Sequence, residues 1–168
     1  MMIAVMSDIH DNLWQLGRLL KEVALADALV FCGDFCAPFT LDEMASRFAQ
    51  PIYAVFGNND GDKLLMTTVA ARHPHVKLLG DVGEITLDGL NVAVAHSPVV
   101  GHALAAANTY DLVCSGHTHE PRTQQIGRTL WINPGEVMGR RGRSTAVVYD
   151  TNKKKTSLSE LPALPIEW

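Results

Sequence analysis

The first half of the chain alternates short apolar runs with stretches in which apolar residues recur every three or four positions. Short apolar runs are typical of buried parallel strands, and the longer spacing is typical of helices that cover a sheet. The predicted strands are residues 3–6, 28–31 and 52–56, and the predicted helices are residues 13–23, 40–48 and 61–72. Asp11 or Asn12 would cap the first helix. This half therefore predicts a parallel sheet with helices on its face.

The second half is richer in strands. Its predicted elements are strands 84–87, 91–95, 112–114, 122–126, 129–133, 144–150 and 154–161, with a short helix at 103–108. Asp88-Gly89-Leu90, Gly127-Arg128 and Thr151-Asn152 separate three strand pairs and predict three hairpins. The end of the chain, with Pro162 and Pro165, predicts an irregular tail. We expect one α/β domain over residues 1–168, with two stacked sheets and helices outside.

Composition narrows the function classes. A hydrophobic share of 47% fits a globular protein, and a net charge of −4 disfavours tight binding to long nucleic acids. No membrane-spanning segment or export signal is recognisable, so a cytoplasmic location is the default expectation. The three cysteines match no zinc pattern and are interpreted as apolar residues of a reducing compartment, although Cys36 follows Asp34 closely enough to lie near a site there.

Polar residues follow five of the apolar runs directly. The segments are Asp8-Ile9-His10, Gly33-Asp34, Gly57-Asn58-Asn59-Asp60, His96 and Gly116-His117-Thr118-His119. Ligands of open α/β sheets bind at the carboxyl ends of strands, so these groups are expected to meet at one edge. In an extended segment, Asp8 and His10 would face the same side, as would His117 and His119.

The residue types at these positions indicate a metal centre. Taken singly, an aspartate after a strand is usually a turn or cap residue, and a loop histidine is usually solvated. Taken together, carboxylate and imidazole groups suit zinc, iron, manganese or nickel. Seven ligands exceed what one tetrahedral ion needs, whereas two ions that share a carboxylate would use them all. Two metals roughly 3.5–4 Å apart form a clamp for in-line displacement at phosphorus.

These motifs, in this order, resemble those of the calcineurin-like metallophosphoesterase superfamily, and the resemblance covers residues 1 to about 134. In its short length and its segment Ile132-Asn133-Pro134-Gly135, the chain resembles members of the small bacterial and archaeal phosphodiesterase branch. The resemblance implies a four-layer αββα sandwich of two mixed sheets with a metal site at the strand carboxyl ends. It implies two divalent ions, with manganese favoured and iron, zinc, nickel or cobalt as alternatives. The implied ligands are Asp8, His10 and His119 for one ion, Asn58, His96 and His117 for the other, and Asp34 between them.

Two positions depart from the family pattern. Many members have a histidine after the metal-binding asparagine, where it is thought to protonate the leaving group, whereas this chain has Asn59. A neutral amide cannot act as a general acid. Glu136 stands where relatives commonly have a small residue. Asp60 and Asp11 are candidates to orient a ligand histidine, with a cap or turn role as the alternative for Asp60.

The resulting hypothesis is hydrolysis of a small phosphodiester by attack of a metal-bound hydroxide, with Asp34, Asn58 and His96 as catalytic residues that act as ligands and not as bases. The alternatives are a phosphomonoesterase acting on a small metabolite and a non-catalytic scaffold module of the same fold.

Aromatic and basic residues suggest little about partners. Tyr53, Phe56 and Trp131 lie in predicted strands and are interpreted as core, so no base-stacking surface is expected. Trp14 could contact a neighbouring chain in a homo-oligomer. The sequence does not indicate how many subunits such an oligomer would have. Residues Arg140 to Arg143 are either a solvated basic loop or a contact for phosphate or for a partner.

Overall fold

The computed structural model describes residues 1–164, which form two β-sheets and four helices. The first sheet has the strand order β11-β10-β1-β2-β3-β4, and the second has the order β5-β6-β7-β9-β8. The strands are β1 Met2–Met6, β2 Ala28–Phe31, β3 Ile52–Ala54, β4 Val76–Leu78, β5 Val82–Leu87, β6 Leu90–Ala95, β7 Leu112–Cys114, β8 Pro121–Ile126, β9 Thr129–Pro134, β10 Arg143–Asp150 and β11 Lys155–Pro162.

Both sheets are mixed, with parallel strands at their centres. Strands β1 to β4 run parallel, and β10 and β11 extend that sheet in antiparallel pairing. In the second sheet β6, β7 and β9 are parallel, with β5 and β8 antiparallel at the two edges. The carboxyl ends of the parallel strands are therefore available to build a site.

Four helices cover the outer faces of the sheets: α1 Leu13–Glu22, α2 Pro38–Arg47, α3 Lys63–Ala70 and α4 Pro98–Ala106. The side chain of Asn12 accepts a hydrogen bond from the Gln15 amide at 3.2 Å and so caps α1. Asp62 caps α3 in the same way through the Leu65 amide. Leu16, Leu19 and Leu20 form the buried stripe of α1.

Side chains on the two faces of β1 show how the layers pack. Ala4 and Met6 face the cluster made with the residues of α1, α2 and α3, whereas Ile3 and Val5 face the cluster between the two sheets. A third cluster joins the outer face of the second sheet to Ala105 of α4. The layers are thus helices, sheet, sheet and helix, which confirms the predicted αββα sandwich.

Several sequence predictions differ from the structure. Strand β4 was not predicted, α4 begins at Pro98 and not at residue 103, and β3 ends at Ala54, so Phe56 lies in the loop that follows. Pro162 is the last residue of β11 and not part of an irregular tail, while Pro165 lies outside the described residues. The three predicted hairpins are present. No helix within residues 1–164 is long and apolar enough to cross a membrane.

Candidate metal centre

Five parallel strands deliver the candidate ligands to one edge of the sandwich. Strands β1, β2 and β3 of the first sheet lead to Asp8 and His10, to Asp34 and to Asn58, respectively. In the second sheet β6 leads to His96, and β7 leads to His117 and His119. The structure brings all seven side chains together in one continuous cluster of contacts. The two sheets therefore each contribute part of the centre.

The backbone at the centre is left-handed and not extended. The φ angles are 59° at Asp8, 45° at His10, 62° at Asp34, 72° at His117 and 61° at His119. The expectation that these segments are extended is therefore wrong, although Asp8, His10, His117 and His119 do meet in one cluster. Positive φ is uncommon for residues other than glycine, but aspartate and histidine adopt it more readily than most. Such conformations persist only where surrounding contacts enforce them.

One half of the cluster centres on Asp8. Its Oδ1 lies 3.2 Å from Nε2 of His119 and 3.6 Å from Nε2 of His10, and the two imidazole rings stack at 5.1 Å. Asp8 is fully buried, and its Oδ2 accepts a hydrogen bond from the His117 amide at 2.9 Å. These three side chains point one carboxylate oxygen and two imidazole nitrogens at a common space, all within 4.8 Å of one another.

The other half centres on His96. Its Nε2 lies 2.9 Å from Oδ1 of Asn58, 3.2 Å from Nδ1 of His117 and 3.4 Å from Oδ2 of Asp34. The same Asp34 oxygen lies 3.5 Å from Nε2 of His10, in the first half. Asp34 thus stands between the two halves and contacts both.

Two atoms of the cluster are buried without a hydrogen-bond partner. Within the described residues, three buried side-chain polar atoms have no hydrogen-bond partner, and two of them are Oδ1 of Asp8 and Nε2 of His10. A buried polar atom without a partner costs free energy, so such atoms point to a missing ligand. Hard oxygen and imidazole nitrogen donors fit a divalent transition-metal ion.

The second nitrogen of three imidazoles is held by a neighbouring group. Nδ1 of His96 lies 2.7 Å from the Cys32 carbonyl oxygen, which accepts only from a protonated nitrogen, so Nε2 keeps its lone pair. Nδ1 of His119 contacts the buried carboxylate of Glu136. Nδ1 of His10 lies 3.4 Å from Sγ of Cys36, which places this cysteine beside the centre as its sequence position suggested.

Glu136 is a residue of the centre whose contact the sequence did not reveal. It follows β9 and is only 1% exposed. Its Oε2 contacts His119, and its Oε1 accepts the Arg141 amide at 2.6 Å. A carboxylate behind a metal-ligating histidine fixes the ring orientation and tautomer. The sequence did contain one signal for this contact, namely a glutamate where relatives commonly have a small residue. A carboxyl group that follows a central strand needs a partner when it is buried.

The three remaining predicted site residues do not contact a histidine. Asn59 donates to both oxygens of Asp34, from its backbone amide at 2.8 Å and from its side-chain Nδ2 at 2.7 Å. Asp60 accepts the backbone amides of Asp34, Gly57 and Cys36. Asp11 accepts the amide of Ala37 and the hydroxyl of Thr40 at the first turn of α2. Asp60 and Asp11 thus hold loops in place, and the proposed role of orienting a histidine is wrong for both.

The environment shifts the pKa values of the central groups. Burial alone would raise the pKa of Asp8, but the facing imidazoles of His10 and His119 hold it well below its usual range. Burial likewise opposes the effect of His96 and Asn59, which lower the pKa of Asp34. The Asp8 carboxylate, against the effect of burial and with help from Glu136, raises the pKa of His119 to about 9. Without a metal, the cluster therefore combines carboxylates with a protonated imidazole.

Gly57 is required by a close approach at the centre. A Cβ atom at this position would collide with the carboxyl group and the backbone nitrogen of Asp34. The loop after β3 can therefore approach the loop after β2 only with glycine at this position.

The loop from Arg140 to Arg143 lies beside the Glu136 side of the centre. The guanidinium of Arg141 pairs with Glu120, and that of Arg143 pairs with Glu160 at 2.9 Å. Arg141, Arg143 and His119 line one cavity of about 430 Å³. Both arginines are thus already paired with surface carboxylates.

Comparison with known proteins places the chain among phosphoesterases. The family model for the calcineurin-like phosphoesterase superfamily domain matches residues 1–154. Phosphodiesterase MJ0936 of Methanocaldococcus jannaschii is 30% identical over 160 residues, which cover 92% of this chain and 96% of the relative. Phosphodiesterase YfcE of Escherichia coli K12 is 29% identical over 157 residues, with 83% and 81% covered.

Solved structures show the same architecture. A novel archaeal phosphodiesterase superposes with a TM-score of 0.88 at 29% identity and covers 96% of this chain and 100% of its own. Vacuolar Protein Sorting 29 from Cryptosporidium parvum superposes with a TM-score of 0.63 at 16% identity, with 96% and 97% covered. The second likeness concerns the fold alone.

Proposed function

Since this chain belongs to the calcineurin-like phosphoesterase superfamily, and is thus a phosphoric ester hydrolase, we propose that it hydrolyses a small phosphodiester at a centre of two divalent metal ions. The observation that carries the proposal is the single cluster of seven ligand-type side chains, in which Oδ1 of Asp8 and Nε2 of His10 are buried without partners. The names of the relatives, both phosphodiesterases, support the reaction class.

Each half of the cluster would hold one ion. Asp8, with His10 and His119, would bind the first ion. The second ion would be bound by Asn58, His96 and His117. Asp34 would bind both, because one of its oxygens lies close to a histidine of each half. We propose Asp34, Asn58 and His96 as the catalytic residues, which would act as ligands of the metal ions. Manganese is our first candidate, since a mixed oxygen and nitrogen donor set admits it.

When bound, two such ions would supply Lewis acidity that polarises the phosphoryl oxygens and lowers the pKa of water. The protein's own contribution is to hold the ligands before substrate arrives. The Cys32 carbonyl oxygen fixes the tautomer of His96, and Glu136 does the same for His119. Asn59 holds both oxygens of Asp34 through two hydrogen bonds.

Asn59 leaves this position of the centre without a general acid. The side-chain amide is bonded to Asp34, and an amide has no proton to give at ordinary pH. We therefore expect substrates with good leaving groups, which depend less on a general acid than esters with poor ones. The preference for an aryl phosphodiester over an aryl phosphomonoester is proposed from the phosphodiesterase relatives, because the two aryl esters share one leaving group.

The test uses metal-free protein to which Mn²⁺ is returned. Bis(p-nitrophenyl) phosphate and p-nitrophenyl phosphate would be compared at equal concentration, with and without the ion. We expect Mn²⁺-dependent turnover that is faster for the diester and is abolished by Asp34→Ala. Faster turnover of the monoester would instead establish the phosphomonoesterase alternative. Absence of turnover together with well under one bound ion per chain would establish the scaffold alternative.

A further inference from the structure

A cavity of about 490 Å³ opens beside the His96 half of the centre. Its volume lies within the range of roughly 300–1,000 Å³ that is typical of small-molecule sites. Its walls include Asn58, His96 and His117 from the centre, and beyond them Phe56, Lys63, Asp81, Val82 and Val100. We call this cavity the apolar pocket. A group bound in it would be adjacent to the side chains proposed to hold the second ion.

Hydrocarbon side chains form the part of the pocket that lies away from the centre. Val82 is 45% exposed and Val100 is 37% exposed, although each belongs to an ordered element, β5 and α4. Phe56 follows β3 and is half-buried, so it packs against the core, as predicted, with only part of its side chain and leaves the rest open to the pocket. Apolar surface inside a cavity beside a polar reaction centre offers an area that an apolar part of a ligand can cover.

The single cation of the pocket is positioned against an aromatic ring. Nζ of Lys63 lies 5.0 Å from the centroid of the Phe56 ring and 2.8 Å from Oδ1 of Asp81. Asp81 neutralises its charge, so Lys63 is poorly suited to hold an additional anionic group. An ammonium group at this distance attracts a ring face, and a second ring entering the pocket could share it.

The cavity on the opposite side of the centre has a different character. It is lined by His119 together with Glu120, Arg141 and Arg143, which are charged. The surroundings of the centre are therefore asymmetric: the His96 side combines hydrocarbon and a ring with one ion pair, whereas the lining of the His119 side is mainly charged.

We propose that the apolar pocket binds an aromatic ester group of the phosphodiester substrate. This inference rests on the proposed function, since it places the reacting phosphate at the metal centre. The valines and Phe56 would cover the flat faces of the ring, and Lys63 favours an aromatic ring over a saturated one. The aromatic group could be a simple aryl group or a nucleobase, which share this chemistry.

The test compares three singly charged phosphonate esters that differ only in the group joined to phosphorus by a carbon–phosphorus bond, which hydrolysis does not break. Methyl phenylphosphonate, methyl cyclohexylphosphonate and methyl methylphosphonate would be titrated calorimetrically into Mn²⁺-loaded protein. We expect the phenyl compound to bind about tenfold more tightly than the methyl compound and at least about twofold more tightly than the cyclohexyl compound. Equal affinity for all three, or for phenyl and cyclohexyl, would overturn the proposal. Thymidine 5′-(methyl phosphate) in the same titration distinguishes the sources, since tighter binding than the phenyl compound identifies a nucleobase.

Variants localise the effect to the pocket. Val82→Ser and Val100→Ser should each weaken binding of the phenyl compound about threefold, with the Mn²⁺ affinity unchanged. Val99→Ser is the matched control, because Val99 is 77% exposed on α4 and does not line the pocket. Lys63→Gln should reduce the preference for phenyl over cyclohexyl. If Val99→Ser weakens binding as much as Val100→Ser, the proposal is wrong.

Turnover of bis(p-nitrophenyl) phosphate is measured separately on the same protein. Turnover without a preference for the ring would refute the pocket and leave the proposed function intact. A preference for the ring without turnover would contradict the proposed function alone.

Discussion

Replacing Glu136 with glutamine is expected to weaken metal binding while the fold is kept. One oxygen of the buried carboxylate accepts from Nδ1 of His119, and the other accepts the Arg141 amide at 2.6 Å. Glutamine has a single oxygen, so it can satisfy one of these two donors but not both. If its NH₂ group faces His119, the proton of the ring moves to Nε2, and the lone pair that would bind the metal is lost.

The size of the effect follows from these contacts. Removing the partner behind a metal-ligating histidine typically costs about 10- to 100-fold in metal affinity, or about 1.4–2.7 kcal/mol. Glu136 is only 1% exposed, so water cannot easily replace the missing acceptor. We therefore expect a loss nearer the upper end of this range for Glu136→Gln.

The pH of the measurement separates two effects of Glu136. Besides orienting the ring, the carboxylate contributes, after Asp8, to raising the pKa of His119 to about 9, and a bound proton competes with the metal. Removing the carboxylate reduces this competition, which would partly offset the loss at low pH. The competition weakens as the pH rises toward 9, so the loss in Mn²⁺ affinity should be larger at pH 8.5 than at pH 6.5.

Calorimetric titration of metal-free protein with Mn²⁺, in anaerobic buffer at both pH values, provides the measurement. Glu160→Gln is the matched control, since Glu160 is a half-exposed partner of Arg143 on the surface. Thermal unfolding of the metal-free variants checks that each is folded. An Mn²⁺ affinity of Glu136→Gln within about twofold of the unaltered protein at pH 8.5 would refute the orienting role.

Three further predictions concern neighbouring groups. The Mn²⁺ affinity of the unaltered protein should rise with pH until about pH 9, by about tenfold per pH unit for each proton displaced. The reason is that the facing carboxylates, against the effect of burial, raise the pKa of His96 and His119. A calorimetric affinity that does not change with pH would contradict this. Asp60→Asn should lower the free energy of unfolding, measured in urea, by about 2–3 kcal/mol, since three backbone amides donate to this carboxylate. The control Asp62→Asn changes only one helix cap and should lower the free energy of unfolding much less. Asn59→His should raise kcat/KM for phenyl phosphate, whose leaving group needs a proton, more than for p-nitrophenyl phosphate, whose leaving group does not, and an unchanged ratio would mean that a missing acid does not limit the monoester reaction.

Strand positions were predictable where apolar runs are continuous, and less so elsewhere. Strand β4 was missed because Val76-Lys77-Leu78 is only three residues long, with an exposed lysine at its centre. The first turn of α4 was missed because Pro98, two valines and Gly101 are weak helix formers. A Cβ at Gly101 would meet the side chains of Ser115 and Trp131, so close packing on the sheet, and not local propensity, accounts for this glycine in the helix.

The positions of the candidate ligands were predictable, but their geometry was not. A polar residue at the end of a buried strand is visible in the sequence, and all seven meet as expected. The contact between His119 and Glu136 was not visible, because it depends on how the loop after β9 packs against the loop after β7. The partial exposure of Phe56 was not visible for a similar reason, since this residue packs against the core but lies two residues beyond the end of β3.

Charge provides a physical reason why this arrangement needs cations. Four carboxyl groups are buried at or beside the centre, namely those of Asp8, Asp34, Asp60 and Glu136. Among residues 1–164, no lysine or arginine side chain pairs with any of them, and three of the four have only histidines as ionic partners. Buried carboxylates are stable only when they are paired, hydrogen-bonded as Asp60 is by three backbone amides, or bound to a metal. Two divalent ions would balance four such charges and would take over the imidazole nitrogens that protons otherwise occupy. The same backbone that is strained without a ligand would then be held by coordination, which is consistent with a centre built around metal ions and not around a single general base.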